Sequence, residues 1–210
     1  MKERLENFLY YYKGHIIAAL FIVILIVIGF RSCAEKTMPD LKMVYFSTGF
    51  VKDESAAALE QDLRDNGFVK DIDADGEAQF YIDRITHDFD VNGTADEATI
   101  NKIQTMIYAG DHTLVLAHRY ALEDYDGCFE DISDKADGFD VFVSPEESFV
   151  SGISVEGNTY LESLGINTDN LYVAMRRRTQ KQLEKGSDEQ QFKVAYEVMD
   201  YILSFNGVTD

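Results

Sequence analysis

Cysteine is scarce in this 210-residue chain, where Cys33 and Cys128 are the only two. That excludes a disulfide scaffold; a single bridge in an oxidising compartment stays open, although nothing in the sequence brings the pair together. Positive charge is also scarce, with 19 Lys and Arg against 38 Asp and Glu. Residues 1–36 hold five Lys/Arg and three Asp/Glu, a balance of +2, and the whole chain stands at −19, so residues 37–210 carry −21. Nucleic acid and anionic lipid headgroups are poor partners for such a surface, whereas divalent cations and basic partners suit it. Solubility is the simpler use of the same charge. Catalytic signatures are missing too: there is no G-x-S-x-G elbow, no H-E-x-x-H and no G-x-x-x-x-G-K-[ST] loop.

One long hydrophobic run is present. Residues 16–30, IIAALFIVILIVIGF, carry no charge, and the apolar character reaches back through Gly14 to Tyr10, Tyr11 and Tyr12. A spanning helix needs about 20 mostly apolar residues, and tyrosine favours the headgroup level. Lys2, Arg4 and Lys13 ahead of the run suit either a cleaved signal or a retained anchor. The far flank favours an anchor: Arg31 fits a water-facing helix end, and Phe30, Arg31 and Ser32 before Cys33 do not form a lipoprotein processing site. Lipidation of Cys33 is the rival reading. The expected organisation is a cytoplasmic leader (1–13), a transmembrane helix (14–31), a stalk (32–40) and an extracellular domain (41–210). Such a protein belongs in the cell membrane, single-pass, with its N-terminus inside.

Within the domain, strand and helix patterns alternate. LKMVYF (41–46) is β-rich, Asp53 caps a helix that runs through about Asp65 with Ala57, Leu59 and Leu63 at helical spacing, and Asn66-Gly67 stops that helix. Residues 78–85 form a second strand. Asp96 opens a helix with Ile100, Ile103, Met106 and Ile107 on one face, and residues 113–118, TLVLAH, are an apolar run of the kind buried on both faces of a parallel sheet. A short helix over 119–125 follows, then strands in DVFV, GISV and LYVAM, and a closing amphipathic helix over 188–205. The pattern predicts one α/β domain with a mostly parallel sheet.

The leader KERLENFLYYYKGH with its span, LKMVYF, the DxDxDG loop, MIYAGDHTLVLAH and GCFEDIS together resemble single-pass membrane-anchored proteins of Gram-positive anaerobes. The outer domain of these is similar to a shortened extracellular solute-binding protein of ABC importers. In that family a helix ending in AG, a short buried strand and a G-x-F-x-D turn recur; here they match Ala109-Gly110, residues 113–117 and residues 127–133. The resemblance implies a single solute-binding-protein lobe. Full binding proteins close two lobes on a ligand, and residues 41–210 are too few for both, so the importer role is not carried over with the fold.

Three constellations could carry chemistry. In DIDADGEAQFYI (71–82), an EF-hand numbering places Asp71, Asp73 and Asp75 at positions one, three and five, Gly76 at the sharp turn, the Glu77 carbonyl next and Gln79 at nine. Position twelve is Ile82 instead of a bidentate glutamate, so either a weak calcium loop or an acidic turn results. Ligands of parallel α/β sheets gather beyond the carboxyl ends of strands, which here supply Thr48, Gly49, His87, Asp88, His118 and Arg119. These either line a binding rim or are ordinary loop residues. Arg176, Arg177 and Arg178 either receive an anionic ligand, with Arg176 nearest the strand end, or fall back on the acidic surface as ion pairs.

The expected function is a non-catalytic, membrane-anchored module binding a solute or a partner outside the cell. The alternative is a structural or assembly component of a cell-envelope complex; an unrecognised hydrolase is the third reading.

Overall fold

The structure, a computed structural model, describes residues 12, 14, 17–18, 20–26, 40–47, 52–72, 74, 76–86, 101, 103, 105–107, 112–179, 183 and 189–206. The chain divides into two compact units, Met1–Met38 and Pro39–Asp210. In the first, residues 20–26 are helical, and Leu20, Phe21, Ile22, Val23, Ile24, Leu25 and Ile26 are all exposed. Among the described residues no helix is long and apolar enough to cross a membrane. Much of the expected span, nearly all of the leader and the stalk up to residue 39 lie outside the described residues.

The second unit is an α/β domain. Its elements are β1 (Leu41–Ser47), α1 (Asp53–Asp65), β2 (Phe80–Thr86), β3 (Leu114–His118), α2 (Arg119–Asp124), a 3-10 turn (Ser133–Lys135), β4 (Val141–Val143), β5 (Val150–Ser154), α3 (Thr159–Ser163), β6 (Leu171–Met175) and α4 (Glu189–Leu203). Six strands form one sheet in the order β2-β1-β3-β6-β5-β4.

The expectation of a mostly parallel sheet needs correction. β1 is parallel to β2 and β3, but β3–β6, β6–β5 and β5–β4 are antiparallel, so the sheet is mixed. One cause is connection length: β4 and β5 are joined by the tight loop 144–149, closed by Ser144 N–H to Phe149 C=O at 2.8 Å, and a parallel pair would need a far longer crossover. The other is that an apolar run reports burial on both faces and nothing about direction. All five residues of β6 are buried, as are all five of β3, yet the two strands run in opposite senses.

Alternation along β1 sorts its side chains onto two cores. Met43 and Tyr45 join Leu59 and Leu63 of α1, Leu161 of α3 and Phe192, Val198, Met199 and Ile202 of α4. Val44 and Phe46 join Ala121 and Leu122 of α2, Phe129, Phe142 and Ile103. Residues 101, 103 and 105–107 are helical, so the described part of the expected helix opened by Asp96 covers this second face.

Local chemistry sets the element ends. Lys52, not the expected Asp53, is the N-cap of α1; Asp53 and Glu54 lie inside its first turn, where carboxylates suit the helix dipole. Asn66 and Gly67, the latter at φ 76°, close it as the sequence predicts. Asn158 caps α3: its Oδ1 accepts the Leu161 N–H at 2.9 Å while its Nδ2 donates to the Ile202 carbonyl at 2.8 Å. One fully buried amide thus ties the start of α3 to the end of α4.

Candidate functional site

The first parallel crossover, β1 to β2, carries α1 on one face. The second, β2 to β3, carries the helical residues around Ile103 on the other. Crossovers on opposite faces diverge between β1 and β3, which makes the carboxyl ends of those strands the switch point of the sheet, where a crevice opens. Because β6 runs antiparallel to β3, with His118 opposite Leu171, the loop entering β6 arrives at this same edge.

A cavity of about 390 Å³ lies there. His118, Arg119, Tyr120 and Glu123 reach it from the β3–α2 junction, and Asn167, Asp169 and Asn170 from the loop before β6. That loop is tied to both switch-point strands. The Arg119 N–H donates to the Asn170 carbonyl at 3.1 Å, and the Tyr45 hydroxyl of β1 reaches the Asn167 carbonyl at 3.4 Å. Burial pushes the Tyr45 hydroxyl up to about 12, so it remains a donor. Asn167 Oδ1 accepts the Asp169 N–H at 3.1 Å, an Asx-type turn, and Asn170 sits at φ 51°, a left-handed conformation that asparagine tolerates.

His118 forms the floor, 7% exposed. Burial lowers its pKa, opposed by hydrogen bonds to the main chain of Asp169 and Asn170 and by the Asp169 charge. The Tyr120 ring lies parallel to the imidazole, centroids 5.9 Å apart. Arg119 donates from Nε to Glu123 Oε1 at 3.0 Å and stands 5.9 Å over the Phe142 ring. Its guanidinium pKa is raised by the Glu123 bond first, then by Tyr172. The cavity therefore offers one guanidinium, two carboxylates, two amides and a pair of stacked rings, a set suited to recognition by hydrogen bonds and charge.

Of the six rim residues expected from the sequence, the structure brings His118 and Arg119 to this cavity. Thr48, Gly49, His87 and Asp88 lie outside the described residues. Arg176 lies at the other end of β3: it follows Met175, the partner of Leu114, and its N–H donates to Thr113 C=O at 3.0 Å. It is 2% exposed, hydrogen-bonds through its guanidinium to the His112 and Arg177 carbonyls, and stacks 5.3 Å from the Phe192 ring. The void beside it is about 10 Å³, room for no more than one water molecule. Arg177 and Arg178 take the ion-pair alternative, Arg177 with Glu147 and Arg178 with Glu130 at 2.6 Å.

Sequence reasoning missed Asn167, Asp169 and Asn170. Their signal was the turn-rich stretch NTDN ahead of LYVAM, but only the antiparallel sense of β6 places that turn beside His118. Another pair it missed is His112 Nε2 with Asp83 Oδ2 at 2.7 Å, bridging β2 to the residue before Thr113.

In the aspartate loop, Asp73 and Asp75 lie outside the described residues. Asp71 Oδ2 accepts the Gly76 N–H at 2.9 Å, with Ala74 at φ 60° and Gly76 at φ 94°. Glu77 and Gln79 side chains approach to 3.5 Å. Asp40, expected in the stalk, is instead 3% exposed and closes this loop: its carboxylate accepts the N–H of Ile72 and, at 2.8 Å, that of Gln79. Among the described residues no group of three or more His, Cys, Asp or Glu is placed to hold a metal ion. Cys128 is free and half-buried, and Cys33 lies outside the described residues.

Comparison with known proteins finds no family model, curated protein or solved structure that matches this chain.

Proposed function

We propose that the chain is a membrane-anchored binding module whose extracellular domain holds a small polar solute, without chemistry, in the cavity at the carboxyl end of β3. The observation that carries this reading is the position of that cavity. It lies at the switch point, is lined by polar groups from two segments, and is built on a loop fastened to both β1 and β3. The anchor is supported by the uncharged run of residues 16–30 and by the exposed apolar side chains of residues 20–26, which need a covering that water does not supply. In the same reading the loop of Asp71, Asp73, Asp75, Glu77 and Gln79 takes calcium weakly and structurally.

The test is to purify the full 210-residue chain in detergent, extract it and identify co-purified small molecules by mass spectrometry, alongside Glu123→Ala. Glu123 is exposed, so its truncation leaves the fold intact. A solute enriched on the native chain and depleted on the variant supports the proposal. Identical extracts from both would sink it.

A further inference from the structure

The cavity reading leaves open what kind of solute fits, and the charges on its walls narrow the choice. Arg119 supplies a cation from the first residue of α2; its Nε bonds Glu123 and its side chain also hydrogen-bonds Tyr172, which leaves part of its five-donor set over. Asp169 supplies an anion from the separate loop that enters β6. Burial keeps His118 neutral in the ordinary pH range, so the floor adds no charge. The lining thus carries one positive and two negative groups, Arg119 and Glu123 on α2 and Asp169 on the loop before β6, in a domain with a net charge of −21 set by the −19 of the chain and the +2 of residues 1–36.

A simple anion meets two carboxylates and a repelling field. A neutral polyol leaves Asp169, which the Arg119–Glu123 pair does not include, without an ionic partner. A molecule carrying both charges serves the two segments together: its carboxylate takes the remaining Arg119 donors, and its ammonium meets Asp169 or Glu123. The parallel Tyr120 and His118 rings supply a flat surface for an apolar or aromatic side chain. About 390 Å³ holds one such molecule and no folded partner.

We propose that the solute is a small zwitterion, a free α-amino acid, held between Arg119 and the carboxylates of Asp169 and Glu123. This rests on the reading of the cavity as a solute site.

The test is calorimetric titration of the full chain in detergent with each of the twenty L-amino acids, with N-acetylated and amidated forms of those that bind, and with glucose as a neutral solute. At least one free amino acid is expected to bind, and blocking either end is expected to weaken it about tenfold to a hundredfold. Arg119→Gln should weaken the free acid by a similar factor yet leave the amidated form unchanged; Asp169→Asn should do the converse with the acetylated form. Equal binding of free and blocked forms would overturn the zwitterion, as would binding of glucose alone, while the solute site itself would stand. If no amino acid binds and Glu123→Ala also leaves the co-purified solutes unchanged, both readings fall.

Discussion

Asp40 holds Gln79 by its main chain, the Gln79 N–H donating to Asp40 Oδ2 at 2.8 Å, and the next residue, Leu41, donates its N–H to the Gln79 carbonyl at 3.2 Å. The other Asp40 oxygen takes the Ile72 N–H, so one buried carboxylate closes both ends of the loop that leads into β2. Asp40→Asn replaces one acceptor by a donor facing a main-chain N–H. The expected loss is about 1–3 kcal/mol, the cost of an unsatisfied buried group, read as a lowered urea midpoint with unchanged slope. A variant as stable as the native chain would show the clamp to be dispensable.

Gly152 of β5 lies under α2. A Cβ there would sit 2.7 Å from Leu122 Cδ1, with Tyr172 Cβ and Phe142 Cβ at 3.4 and 3.5 Å. Leu122 is fully buried and cannot swing out to solvent. Gly152→Ala is therefore expected to destabilise by about 1–3 kcal/mol, as overpacking does. Adding Leu122→Val should recover part of the loss. Since α2 carries Arg119, Tyr120 and Glu123, the single variant should also weaken solute binding; calorimetry on the two variants checks whether stability and affinity return together.

His118 gives the domain a pH dependence with a definite sign. Its native pKa is lowered by burial below the unfolded value of about 6.5. The unfolded chain then binds a proton that the native state refuses, so this contribution is complete above about pH 6.5 and is lost as pH falls toward the lowered native value. In unfolding curves at pH 7.5 and 5.5, the stability gap between the native chain and His118→Gln should narrow at the lower pH. A gap that stays constant would mean the imidazole titrates alike in both states.

Much of the fold was legible in the sequence, and the part that was not has a common cause. α1 begins and ends where its carboxylates and the Asn66-Gly67 stop place it, and β6 is LYVAM residue for residue. Such features depend on nearby neighbours along the chain. Strand direction depends on the partner, so nothing within LYVAM distinguishes a parallel from an antiparallel neighbour. The same holds for the site. His118 could be singled out because it ends a strand, whereas Asn167, Asp169 and Asn170 become site residues only through the pairing of His118 with Leu171. Arg176 follows a strand end as well, but at the opposite edge, where it serves the main chain instead of a cavity.

The aspartate loop carries the last prediction. Asp71 already uses Oδ2 on the Gly76 N–H, and Asp40 holds the ends, so the loop does not depend on a cation for its closure. Calcium therefore adds only the relief of repulsion among Asp71, Asp73 and Asp75. With no glutamate at the twelfth position, affinity should be on the order of millimolar. At 10 mM calcium such a site stabilises the chain by about 1.4 kcal/mol, by mass action on the native state alone. Thermal unfolding of the full chain should show a raised Tm in calcium that an equal ionic strength of sodium chloride does not reproduce. The triple variant of Asp71, Asp73 and Asp75 to Asn should lose the calcium response. If sodium chloride raises Tm as much as calcium does, the three aspartates are a screened acidic turn and the metal reading is wrong.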